Sequence, residues 1–218
     1  MTVAELQYLL GMAGTVAFAA TAVAAVAPKR IDLFGALVMG VITAIGGGTI
    51  RDLILDVPVF WSQDLNYIWV ALAASLVAFI ANKQMTGRQV YRAMLYLDAA
   101  GVALFAVQAA QKTMDLSFAQ PLGPVLLGVI TAIGGGLLRD VLAGNDTLLM
   151  RKELYAVPVT LGCVTYVSLH AIFPTAGLTV GAFSMLLIFC LRGAAIHWHL
   201  YVPDFLLTRP IGSKESQK

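Results

Sequence analysis

Residues 40–52 read GVITAIGGGTIRD, and residues 128–140 read GVITAIGGGLLRD. Eleven of these thirteen positions agree at an offset of 88, with the Arg-Asp pair in register. Chance does not supply such a run, so the chain carries a duplication. The correspondence continues backwards, where Ala13, Gly14 and Phe18 answer to Ala100, Gly101 and Phe105. The repeated unit is therefore larger than the motif.

Composition sets the solvent in which the two copies fold. Of the 218 residues, 59% are hydrophobic and only 12% are charged, with a mean hydropathy of +0.83. Soluble domains carry about 25% charged residues, so much of this surface belongs in lipid. A bilayer core needs roughly 20 apolar residues per helix. Seven stretches qualify, at 6–27, 33–55, 65–82, 90–111, 121–143, 154–173 and 176–196. The first has Glu5 as its only charge and no basic n-region, so it reads as a retained helix rather than a signal peptide. The net charge of +2 comes without a clustered basic face, which argues against nucleic-acid binding.

Helix parity decides the topology. Each copy of the motif lies in the second span of a three-span unit. Three is odd, so the second unit enters the membrane from the opposite side, as an inverted repeat. The expected architecture is all-α, seven transmembrane helices arranged three plus three plus one. Its divisions are 1–84, 85–174, a seventh helix over 175–203 and a polar cytoplasmic tail over 204–218. Lys29, Arg30, Lys83, Arg88, Arg151, Lys152, Arg209, Lys214 and Lys218 collect on one face. The positive-inside rule makes that face cytoplasmic, with the N-terminus outside and the C-terminus inside.

Three adjacent glycines inside a span cost about 1 kcal/mol each against alanine, so their presence twice requires a reason. One reading is a kink that frees carbonyls near Thr43 and Thr131 to hold a cation, since a half-helix C-terminal end is partially negative. The other is close helix crossing through small residues. On either reading the path runs by Thr43, Gly46, Gly47, Gly48, Thr131, Gly134, Gly135 and Gly136. Charges at membrane depth are costly and face a cavity or one another. Arg51, Asp52, Arg139 and Asp140 are therefore gating groups or repeat-locking ion pairs, expected to meet across the pseudo-two-fold axis as Arg51 with Asp140 and Arg139 with Asp52. Asp98, whose counterpart is Gly11, either attracts cations on the path or pairs with an arginine. Arg192 reads as a snorkelling anchor, and Cys163 and Cys190 as buried free thiols. His197 and His199 read as interfacial. No enzyme motif occurs, and no resident metal or cofactor is expected.

Paired Gly-Gly-Gly-x-x-Arg-Asp segments in a three-plus-three-plus-one helix chain resemble the prokaryotic branch of the trimeric intracellular cation (TRIC) channel family, also catalogued as a glycine-transporter-like family. The match runs from about residue 6 to 203. The resemblance implies a homotrimer with a pore in each protomer between the two glycine-bearing helices, and potassium as the permeant ion. It implies a prokaryotic plasma membrane. Animal members carry a lysine-containing motif after the glycines that helps bind a phosphoinositide; Arg51-Asp52 and Arg139-Asp140 stand there instead, which leaves another anionic lipid as the candidate ligand. The alternative reading is a secondary transporter for glycine or another small neutral amino acid, which would use the same broken helices.

Overall fold

The computed structural model describes residues 2–202, and the tail assigned to 204–218 lies outside them. Eight α-helices follow in order: α1 (Val3–Val26), α2 (Leu33–Ile54), α3 (Phe60–Gln63), α4 (Asn66–Asn82), α5 (Gly87–Asp115), α6 (Leu122–Leu142), α7 (Ala156–Ile172) and α8 (Gly177–Trp198). Each predicted apolar stretch is helical. Five helices are long and apolar enough to cross a membrane, whereas α4 and α7 have 17 residues each, the short end of a spanning helix. The short helix α3 escaped the sequence reading.

Local chemistry sets the boundaries. Thr2 and Glu5 close a capping box on α1, and Thr86 with Gln89 does the same for α5. Asp32 caps α2 by accepting from the Gly35 amide at 2.8 Å. Such caps satisfy amides that the first helical turn leaves open.

Burial is inverted relative to a soluble protein. Phe34, Leu53, Trp69, Leu122 and Trp198 are all more than 60% exposed, while Thr15, Thr43, Ser75, Asp98, Thr131, Arg139 and Arg192 are buried. An apolar exterior around polar buried groups suits hydrocarbon as solvent. This is an integral membrane protein.

The helices α1 and α5 form the centre, with the Phe18 and Phe105 rings stacked at a centroid distance of 5.5 Å. Helices α2 and α4 pack on α1, helices α6 and α7 pack on α5, and α8 lies against α5 and α7. The central contact is reciprocal: Gly14 receives the Phe105 ring and Gly101 receives the Phe18 ring. Small residues allow close approach elsewhere too. Gly40 of α2 sits against Ser75 of α4, and Gly162 of α7 against Ile188 of α8. Without a hydrophobic drive between helices in lipid, such packing supplies the cohesion.

Candidate functional site

The two glycine-rich helices cross at their shared motif. A Cβ on Gly47 would strike the Thr131 carbonyl oxygen, and one on Gly135 would strike the Thr43 carbonyl oxygen. Because Thr43 faces Gly135 while Gly47 faces Thr131, the order of contacts reverses and the helices run antiparallel where they touch. Both helices are continuous over 33–54 and 122–142. The expected kink is absent, and the reading of freed carbonyls that hold a cation is corrected. Hydrogen bonding within α2 and α6 survives because glycine is spent on proximity to a neighbour, not on unwinding.

Successive residues point about 100° apart around a helix, so each glycine of a triplet has its own neighbour. Gly46 faces Leu138, and a Cβ on Gly134 would lie 3.4 Å from Gly47 Cα. Gly48 accommodates the Phe60 ring of α3. Gly136 opens a niche in which Asp98 Oδ1 and the Tyr155 hydroxyl each come within 3.2 Å of the missing Cβ.

The Arg-Asp pairs do not meet across the crossing. Arg51 Nε donates to Asp52 Oδ1 at 2.7 Å, and Arg139 Nε donates to Asp140 Oδ1 at 2.8 Å. The expected pairs Arg51–Asp140 and Arg139–Asp52 are corrected, for a geometric reason. Each arginine lies several residues beyond the crossing on antiparallel helices, so at 1.5 Å per residue the two are carried roughly 18 Å apart along the axes. The arginine stem is long enough to fold back on its neighbour although their Cβ directions diverge.

Each aspartate also holds the loop beyond its helix. Asp52 Oδ2 accepts from the Phe60 amide at 2.9 Å, and Asp140 Oδ2 accepts from the Leu148 amide at 3.0 Å. Both receivers lie eight residues downstream, which is why a short helix or 3-10 turn follows each motif. The third member of each cluster differs. Lys112 Nζ donates to Asp52 Oδ1 at 2.8 Å, whereas Arg139 Nη1 donates to Asp98 Oδ1 at 2.9 Å. The first cluster thus carries one net positive charge and the second one net negative charge. The second is sealed, with Asp98 and Arg139 both 0% exposed. Asp98 pairs with an arginine, one of its two expected roles.

Polar cavities approach the crossing from both ends. One, of about 310 Å³, is lined by Gln7, Tyr8, Gly48, Arg51, Tyr67, Gln108 and Lys112 among others. The other, of about 450 Å³, is lined by Ala25, Asn82, Tyr91, Asp140, Asn145 and Arg151 among others. The first ends at Phe105, whose ring stacks on Phe18; Phe18 in turn lies 3.8 Å from the Cβ position of Gly135. Sequence reasoning noted these rings as repeat markers and missed their place at the neck. Thr43 and Thr131 are both buried here. The Thr131 hydroxyl donates to the Leu127 carbonyl at 2.6 Å, and the Thr43 hydroxyl has no partner among the described residues.

Other expectations resolve individually. Arg192 is 1% exposed; it donates to the Leu154 carbonyl at 2.8 Å and stands 4.5 Å above the Tyr155 ring centre. It is an internal strut, and the snorkelling reading is corrected, because a buried carbonyl and ring lie within reach of its stem. Both cysteines are free; Cys163 is buried and Cys190 is exposed. No cluster of metal-ligating side chains occurs among the described residues.

Comparison with known proteins follows the same lines. The family model described as "Glycine transporter" matches twice, over residues 8–83 and 95–171. The UPF0126 inner membrane protein YadS of Escherichia coli (strain K12) is 39% identical over 204 residues, covering 93% of this chain and 97% of that protein. The TRIC trimeric intracellular cation channel orthologue of Rhodobacter sphaeroides has a solved structure similar at a TM-score of 0.84. It is 33% identical and covers 89% of this chain and 99% of its own. A prokaryotic TRIC channel solved in 0.5 M KCl reaches 0.84 at 26% identity, over 92% and 100%. Fold and site together define a polytopic helical membrane protein of the channel and transporter class, not an enzyme. The chain belongs to the prokaryotic branch of the TRIC channel family, the family also described as glycine transporters.

Proposed function

We propose that the protein is a homotrimeric channel for monovalent cations, chiefly potassium, with one path per protomer along the α2–α6 crossing. The observation that carries this reading is the pair of polar cavities entering from opposite ends of one antiparallel crossing. Between them stand the glycine–carbonyl contacts and the Phe18–Phe105 stack, a hydrophobic neck of the kind that gates by excluding water. Similarity to cation channels at 33% and 26% identity supports the ion class, and the description of the first as trimeric supports the assembly.

In this reading the inverted repeat spans 1–84 and 85–174, and all seven longer helices cross the bilayer. The Arg51 cavity opens outside and the Asp140 cavity opens to the cytoplasm, with the N-terminus outside. Thr43, Thr131 and the glycine triplets line the neck. Arg51, Asp52, Arg139 and Asp140 hold the loops that frame it, and Asp98 fixes Arg139. Membrane lipids surround the trimer, and an anionic one belongs at an exposed arginine.

Purified protein in planar bilayers under a potassium gradient, with no organic solute, tests the reading. Discrete cation-selective currents are expected. The family description favours one rival, transport of glycine. Electrical silence with saturable counterflow of labelled glycine in liposomes replaces the channel with that transporter.

A further inference from the structure

Arg51 is 7% exposed, yet it spends only its Nε inside the protein, on Asp52. Its two terminal nitrogens make no hydrogen bond to the described residues and are not among the sealed unpartnered atoms, so they open onto the cavity that Arg51 lines. Beside them Gln108 brings a buried Nε2 without a partner, and Lys112 keeps two further N–H donors after its bond to Asp52. A planar arginine fork beside other donors matches the paired oxygens of a phosphate ester. The Arg51–Asp52–Lys112 cluster carries one net positive charge. Asp115, also on the cavity wall, lies exposed at the end of α5, where water screens it.

This cavity is not closed on its flank. Gln7, Gln108 and Gln111 also line a groove of about 860 Å³ between α1, α5 and α8. Past those glutamines the groove is apolar, walled by Leu10, Leu104, Met185, Leu186 and Phe189 over a small-residue floor that includes Ala182. Polar donors with a net positive charge thus open sideways onto a hydrocarbon-facing trough. Arg51 lies one turn from the end of α2, the depth at which head groups meet a spanning helix.

We propose that the Arg51 cavity and this groove form one site for an anionic phospholipid. Its phosphate sits on the Arg51 fork, Lys112 and Gln108, and an acyl chain lies between α1, α5 and α8. Arg139 offers no second such site, because it is 0% exposed and held by two carboxylates. The inference deepens the lipid part of the proposed function and rests on membrane placement, not on conduction. Its failure is therefore separable from electrical silence.

Native mass spectrometry of the full chain, released from micelles loaded with equal phosphatidylglycerol and phosphatidylcholine, tests it. Phosphatidylglycerol should be retained about tenfold over phosphatidylcholine, a preference on the order of one exposed basic group. Arg51→Gln should abolish the preference and Gln108→Leu should reduce it. Should Arg51→Gln fail to fold, Arg51→Lys keeps the charge, loses the fork, and should weaken the preference. Ala182→Trp, which fills the groove and touches no charge, should lower retention of phosphatidylglycerol at unchanged oligomeric mass. Soluble glycerol phosphate should compete only at concentrations more than about 100-fold higher. Equal retention of the two lipids overturns the proposal, as does a preference that survives Arg51→Gln. Competition by glycerol phosphate at lipid-like concentration makes the site one for a soluble anion. Loss of the oligomer in Ala182→Trp assigns the groove to a second copy of the chain.

Discussion

Arg139 and Arg51 occupy equivalent motif positions and carry different loads. Removing Arg139 strands Asp98 and Asp140 together at 0% and 3% exposure. Breaking a buried pair by deleting one partner costs about 3–5 kcal/mol. Arg51 faces a cavity, and its aspartate keeps Lys112, so Arg51→Gln should cost about 1 kcal/mol. Thermal unfolding in detergent checks the order: Arg139→Gln should melt far below Arg51→Gln, and the reverse order contradicts the charge assignment. A conductance change with an intact oligomer was the natural expectation for a substitution at Arg139. Its sealed position moves the main effect to stability. Phe105→Ala acts differently, since it empties half of the neck. In bilayer recordings it should raise open probability, and unchanged gating argues that the stack is not the constriction.

The motif's place inside the second and fifth spans was legible in sequence, because periodic apolar runs and turn residues bound them. Its straightness was not. A glycine triplet encodes either a break or a close crossing, and only the neighbouring helix decides between them. The two helices now make distinct demands at each glycine. Gly47→Ala and Gly135→Ala drive a methyl into a facing backbone carbonyl that cannot swing aside, so each should destabilise by about 1–3 kcal/mol through overpacking. At Gly134 the nearest atom is 3.4 Å from the added Cβ, and Gly134→Ala should be near neutral. Equal melting temperatures for the three variants would sink the crossing argument. The short helix α3 was illegible for a related reason. Four residues carry no periodic signal, and what nucleates it is the Asp52 carboxylate taking the Phe60 amide.

At the scale of the whole molecule, orientation follows from loop charge. Ser117→Cys, beyond the end of α5, should react with an impermeant maleimide applied outside intact cells, and Thr86→Cys should react only after permeabilisation. The opposite pattern reverses the assignment of the two cavities. The loops near Pro28, Met85, Asn145 and Arg151 gather around a single cavity, so the charges that the positive-inside rule groups by counting do share one end of the fold.

Membrane residence, the duplication and the seven apolar stretches were determined by the sequence alone, because composition and a repeated motif need no knowledge of neighbours. Antiparallel contact of α2 and α6 was anticipated by parity, since three spans reverse the direction of a copied unit. Tertiary structure alone decided the partners. It kept each arginine with its own aspartate, gave Asp98 to Arg139 and Lys112 to Asp52, and left the Arg51 fork open to a cavity. Those outcomes depend on where long side chains end, several ångströms from their Cα atoms. Spacing along the chain does not encode that distance.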